Sequence, residues 1–149
     1  MISKEFVMAG NATFTLEMPE TFRKRNNLPT HYTYKVVSRP DRFHEKKLIH
    51  FVSLMTGYDN VDHFSYLGML KSNGDLILTK GSKFNKTTWS VRLLTRVLDR
   101  VWNDEFEEIS KAGFVLHHEG KCGKCGRKLT TPESVKTGLG PKCYKAMSV

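Results

Sequence analysis

Cys122, Cys125 and Cys143 are the only cysteines of this chain, and with His118 they spell H-x3-C-x2-C-x17-C. Thiolate sulfur and imidazole nitrogen are what zinc takes in closed tetrahedral sites, and C-x-x-C lets two thiolates grip one ion from a tight turn. The glycines after each of the paired cysteines, Gly123 and Gly126, let backbone N–H groups approach the sulfurs. Further on, Thr131 suits a helix N-cap, Pro132 the first helical position and Gly138 the residue just past a short helix. Gly140-Pro141 then turns Cys143 back toward the pair.

Three other readings compete with a metal site. A redox C-x-x-C sits where a strand meets a helix in a βαβ pattern, and none surrounds Cys122. A disulfide leaves one of three cysteines over, and nothing points to an oxidising compartment. Unrelated free thiols are the plainest alternative. His117 and His118 are adjacent candidates for the fourth ligand, and a lone histidine is more often a surface or core residue. His118 is preferred for its short spacing to Cys122. Four protein ligands leave no vertex for water, so the expected zinc stabilises the fold and does not catalyse hydrolysis. Zinc deaminases carry P-C-x-x-C, whereas Cys122 follows Lys121.

The run H-E-G-K-C-G-K-C-G-R-K-L-T-T-P-E-S-V-K-T-G-L-G-P-K-C, from His118 to Cys143, resembles a small zinc-finger-like domain of unknown function. That domain is common in uncharacterised bacteriophage and actinobacterial proteins. Upstream, A-G-N-A-T-F-T-L (9–16), H-Y-T-Y-K-V (31–36), F-V-S-L-M-T-G-Y-D-N (51–60) and Y-L-G (66–68) resemble the partner region of the phage copies. The resemblance implies Cys122, Cys125 and Cys143 as ligands with His118 as the fourth. It also implies a phage or mobile-element protein in the bacterial cytoplasm, and it supplies no activity.

With 149 residues and 39% apolar content the chain can bury one core, and a metal staple makes a small second module stable. The expected division is 1–112 for a sheet-plus-helix domain and 113–149 for the zinc module. There is no repeat, secretory segment or membrane-length apolar run, so a soluble cytoplasmic protein without membrane contact is expected. Of the net charge of +9, most lies in residues 121–149, where seven basic residues face Glu133 alone. A compact positive module attracts phosphate and releases condensed counterions, which makes nucleic acid the natural partner. An acidic protein surface answers the same field. The expected phosphate contacts are Lys121, Lys124, Arg127, Lys128, Lys136, Lys142 and Lys145.

The elements that must position this module are mostly strands. Segments 12–18, 32–37, 48–54, 64–70 and 76–79 are rich in β-branched or aromatic residues, and Asn73-Gly74 makes a hairpin turn before the last. A helix opens near Thr87 or Thr88, with Trp89, Leu93, Leu94, Val97, Leu98, Val101 and Trp102 on one face. Its other side carries Arg92, Arg96 and Arg100, a solvated face or a phosphate-tracking stripe, with Asp99 placed to neutralise Arg96 in part. A second basic zone, Arg23 to Lys47, interleaves Phe22, Tyr32, Tyr34 and Phe43, which are core residues or base-stacking rings. Asp104, Glu105, Glu107 and Glu108 form an acidic connector, or a surface that holds the basic tail.

Enzyme signals are poor. Asp59, Asp62 and His63 form the one compact polar group, which turn chemistry explains. The run G-S-K-F-N-K-T-T from Gly81 lacks the second glycine of a P-loop, and no G-x-S-x-G occurs. The expectation is an α+β protein, a mostly antiparallel β-sheet with one amphipathic helix followed by a zinc-binding module. It would bind nucleic acid without enzymatic activity. The alternative is a small interaction protein that inhibits or modulates a host polymerase, nuclease or defence factor.

Overall fold

Alternation of Ala12, Phe14 and Leu16 with Thr13 and Thr15 gives the first strand one apolar and one polar side. The computed structural model describes residues 2–44, 46–56 and 63–147. Within them lie strands β1 (Asn11–Glu17), β2 (His31–Pro40), β3 (Leu48–Met55), β4 (Phe64–Leu70), β5 (Leu76–Ile77) and β6 (Val115–His118). The helices are α1 (Lys4–Val7), α2 (Glu20–Arg25), α3 (Trp89–Trp102), α4 (Phe106–Lys111), α5 (Pro132–Thr137) and α6 (Pro141–Met147). The strands form one antiparallel sheet in the order β5-β4-β3-β2-β1-β6.

Five strands lie where the composition placed them, within a few residues at each end. The sixth, β6, has only four residues, and its partner β1 lies about a hundred positions earlier, with Leu16 opposite Leu116 and Phe14 opposite His118. Besides the long amphipathic helix and the short capped one, the described residues hold α1, α2, α4 and α6, which at four to seven residues are too short to show a 3.6-residue apolar period.

The helix α3 is the long one. Its Val91, Leu93, Leu94, Val97, Leu98 and Val101 are buried in the same cluster as Ala12, Phe14, Leu16, Tyr34, Val36, Val52 and Leu54. The Tyr34 hydroxyl donates to the Ser90 carbonyl over 2.7 Å, tying the sheet to the first turn of the helix. At the other end, the Trp102 indole N–H donates to the Ser72 carbonyl, 2.8 Å away. Gly74, at φ +92°, lies so near that a Cβ there would sit 2.7 Å from the Trp102 ring.

The aromatics of the second basic zone are mostly structural. Phe22 packs edge-on against Trp89 and Phe114 at 5.4 and 5.3 Å, Tyr34 is fully buried, and Tyr32 leans on Tyr34. Phe43 alone of the four stands in solvent, at 85% exposure. Among the described residues, no helix is long and apolar enough to cross a membrane.

Candidate metal centre

The paired cysteines sit at the tip of a tight hairpin. Leu129 N–H donates to Gly120 O at 2.8 Å and Cys122 N–H to Arg127 O at 2.8 Å, while Lys121 and Lys128 form a bridge between the two arms. Gly126 N–H closes the turn on Cys122 O at 2.9 Å. Beyond the hairpin, the Thr131 hydroxyl accepts from Ser134 N–H at the start of α5, and Gly138 ends that helix at φ +73°. Pro141 opens α6, which carries Cys143 in its first turn.

This folding back brings the sulfurs of Cys122, Cys125 and Cys143 within 4.8 Å of one another. A tetrahedral ion with metal–sulfur bonds near 2.3 Å needs sulfurs about 3.8 Å apart, so modest rotation of the side chains meets the requirement. All three cysteines are unpaired in disulfides; Cys122 is buried, Cys143 half-buried and Cys125 exposed.

Two opposed influences act on Cys122. Burial pushes its thiol up, but backbone N–H groups of Cys125, Gly140 and Lys124 and the Cys125 side chain outweigh that, holding it at about 7. The Lys124 N–H lies 3.4 Å from the sulfur. Cys143 is pushed up to about 11, first by burial and then by its hydrogen bonds to Cys122 and Cys125 and their negative charge. One cysteine is therefore primed as a thiolate, and the other needs a cation to lose its proton.

Phe6 of α1 decides how this module sits on the sheet. A Cβ on Gly123 would lie 2.7 Å from the Phe6 ring and one on Gly138 only 2.5 Å from it, so two glycines make the slot the ring fills. Asn11 N–H, at the start of β1, donates to Gly123 O at 2.7 Å, and Gly123 N–H donates to Gly138 O at 2.9 Å. Backbone N–H groups do approach the Cys122 sulfur beside Gly123, Lys124 N–H among them, and the missing side chain of Gly123 also admits an aromatic ring. Cys122, Leu129 and Leu139 form the small core of the module, with Ala9 and Cys143 against it.

The structure does not bring His118 into the sulfur cluster. Its Nδ1 accepts from Gly120 N–H at 2.9 Å, and its Nε2 lies 2.6 Å from Val135 O, so backbone groups occupy both ring nitrogens. The ring packs on Phe6 at 5.6 Å. His117 points to the opposite side of β6 and pairs with Glu17 at 3.2 Å. His118 thus joins the hairpin base to α5.

The basic residues separate into groups. Lys121, Lys124, Arg127 and Lys128 are exposed on the hairpin, and Lys121 lines a cleft of about 260 Å³ with Asn11, Thr13, Lys35 and Glu119. Lys142 and Lys145 are exposed on α6, and Lys136 lines a different cleft with Glu133 and Tyr144. The arginines of α3 lie across the sheet from the hairpin cleft, because α3 covers the Phe14 side and Thr13 and Lys35 face the other. All three are exposed; Arg92 stacks over the Trp89 ring at 3.9 Å and Arg100 pairs with Glu105 at 2.6 Å. Asp99 accepts from the Asn103 amide and makes no ion pair with Arg96.

The acidic run pairs locally, Glu105 with Arg100 and Glu108 with Lys111. Asp59 and Asp62 lie outside the described residues, so the polar group they form with His63 does too.

The segment that folds over the sulfurs also has relatives. Residues 117–148 match a family of unknown function, DUF6011. No curated protein and no solved structure matches the chain. The matched segment runs from the end of β6 through the hairpin, α5 and α6, and so contains all three sulfurs and the Phe6 slot, but not Phe6 itself. Nothing in the sequence flagged Phe6, an ordinary apolar residue more than a hundred positions from the glycines that receive it.

Proposed function

We propose that this is a zinc-stapled, non-enzymatic nucleic-acid-binding protein. The observation that carries the reading is the convergence of Lys121, Lys124, Arg127 and Lys128 on the hairpin whose tip holds two of the three thiolates. Lys121 and Lys128 stand opposite each other, and like charges in a bridge repel, a strain that a polyanion relieves.

An all-sulfur donor set selects soft or borderline metals over magnesium or calcium, and zinc is the redox-silent choice. Cys122, Cys125 and Cys143 would hold it, with the fourth position left to water or another donor, and bound zinc would supply folding energy by tying the hairpin to α6. The hairpin would then be fixed to α6, so its cations meet phosphate already ordered and lose less entropy on binding.

Phosphate contacts bring steep salt dependence and little sequence preference. Replacing Lys124, Arg127 and Lys128 together with alanine is expected to weaken binding at least about ten-fold and to lower the log–log salt slope by about two to three. Melting should be unchanged, since all three side chains are exposed. Fluorescence anisotropy across a salt series measures both quantities; unaltered affinity would remove the hairpin from the interface.

A second reading, docking to a host protein, draws on one feature. An open cleft of about 1060 Å³ between α1, α5 and α6 is lined by Leu139, Pro141 and Tyr144, with half-exposed Val135 nearby. Recovery of one partner after nuclease treatment, lost when Tyr144 becomes Glu, would favour it over nucleic acid.

A further inference from the structure

Among the described residues no helix covers the second side of the sheet; Thr33 is buried there, and Thr79 and Gly81 lie along one edge of the Tyr66 ring. Strand alternation and register put Val37, Phe51, Met69 and Ile77 in one row across β2 to β5, and Thr13, Lys35, Ser53 and Tyr66 in the next across β1 to β4. All eight remain partly or well exposed, whereas their neighbours on the α3 side, Ala12, Val36, Val52 and Leu54, are buried. Phe51 and Tyr66 stand on adjacent strands with ring centroids 6.2 Å apart, and Lys35 Nζ lies 5.6 Å over the Phe64 ring. At the β1 end, Thr13 and Lys35 open into the cleft that Lys121 of the hairpin completes.

We propose that this open side is a platform for single-stranded nucleic acid, with bases on Phe51 and Tyr66 and backbone phosphates on Lys35 and Lys121. The inference rests on the nucleic-acid reading above and adds strandedness and the base-contacting residues. Three features select this occupant. Aromatic rings on a flat sheet stack with any unpaired base, but cannot reach bases stacked inside a duplex. Among the described residues, Lys35, Arg39 and Lys121 lie within and beside the rows, while Glu17 bonds to His117 at the sheet edge and Glu119 is the acid of the cleft. An apolar protein surface laid on the same rows would bury Lys35 without a counter-charge, a cost that phosphate removes. Ser53 beside Tyr66 and Thr13 at the β1 end of the same row offer hydroxyls for base edges. Three strand spacings from β1 to β4 span about 14 Å, room for two or three nucleotides.

The test uses the full-length, zinc-loaded, nuclease-treated protein and a twelve-nucleotide DNA, the RNA of the same sequence and the corresponding duplex. Tighter binding of the single strands than of the duplex is expected. Replacing Phe51 and Tyr66 together with leucine, which keeps apolar bulk and removes the rings, should weaken single-strand binding about ten-fold with the salt slope unchanged. Lys35→Gln should reduce that slope. Equal binding of single strand and duplex, untouched by the leucine pair, overturns the platform and leaves the basic hairpin as the interface. Absence of all binding at low salt overturns both readings. Should the leucine pair fail to fold, photocrosslinking of wild type to a 5-iodouracil-substituted strand decides. Adducts on peptides containing Phe51 or Tyr66 support the platform, and adducts confined to 121–147 reject it.

Discussion

Cys143 and His118 make opposite predictions although both belong to the same motif. Cys143 supplies one of three clustered sulfurs, so Cys143→Ala is expected to abolish stoichiometric zinc binding, as read by elemental analysis. His118 spends both ring nitrogens on Gly120 and Val135, so His118→Ala should keep the zinc and lower stability by about 1–3 kcal/mol through the lost backbone contacts. Loss of metal from His118→Ala would return the ring to the ligand set. Acid should release the metal, because zinc displaces protons from all three thiols. Cys122, lowered from 9.0 to about 7 in the metal-free protein, begins to hold its proton against zinc as pH falls through 7. Competition with a chromophoric chelator between about pH 8 and pH 6 should show affinity dropping steadily. In the metal-free chain the depressed Cys122 favours the fold at high pH and loses that contribution as pH falls through about 7. Cys143, raised to about 11, favours it below the ordinary thiol range and loses that contribution as pH rises through 11.

At the scale of elements, the contact between α1 and the hairpin matters most. Phe6 is about 1% exposed, so Phe6→Ala removes a filled slot and is expected to cost about 3–5 kcal/mol in denaturant melts of the zinc-loaded protein. Gly138→Ala should fail for two separate reasons, a left-handed φ of +73° and a Cβ placed 2.5 Å from the Phe6 ring. If the hairpin were merely tethered to the sheet, neither change would alter the main melting transition. The α5 segment shows how far local chemistry reaches: Thr131, Pro132 and Gly138 take the cap, first-turn and terminating positions their types suit. The helix α3 likewise buries the side its apolar period marks.

For the whole molecule, the junction between the sheet and the tail is apolar and hydrogen-bonded. Phe6 packing, the Asn11–Gly123 bond and the β1–β6 ladder hold it, and the acidic run pairs within α3 and α4. Salt screens exposed ion pairs but leaves such contacts intact. Small-angle scattering of the zinc-loaded protein should therefore be unchanged from low to high salt, while nucleic-acid affinity falls steeply. A particle that expands with salt would show that the tail is held by charge.

The sequence by itself determined what rests on near neighbours: the C-x-x-C turn, the capped α5, the period of α3, alternation in five strands and the excess charge of the tail. Each depends on residues within a turn or two, where propensity and spacing act directly. Only the tertiary structure decided the rest. It paired β6 with β1, seated Phe6 between Gly123 and Gly138, turned His118 to backbone partners and put the α3 arginines across the sheet from the hairpin. It also buried Tyr34 while leaving Phe51 and Tyr66 on the open side. Those outcomes depend on which distant segments share the sheet and on which side α3 covers. Local propensity carries no information about either.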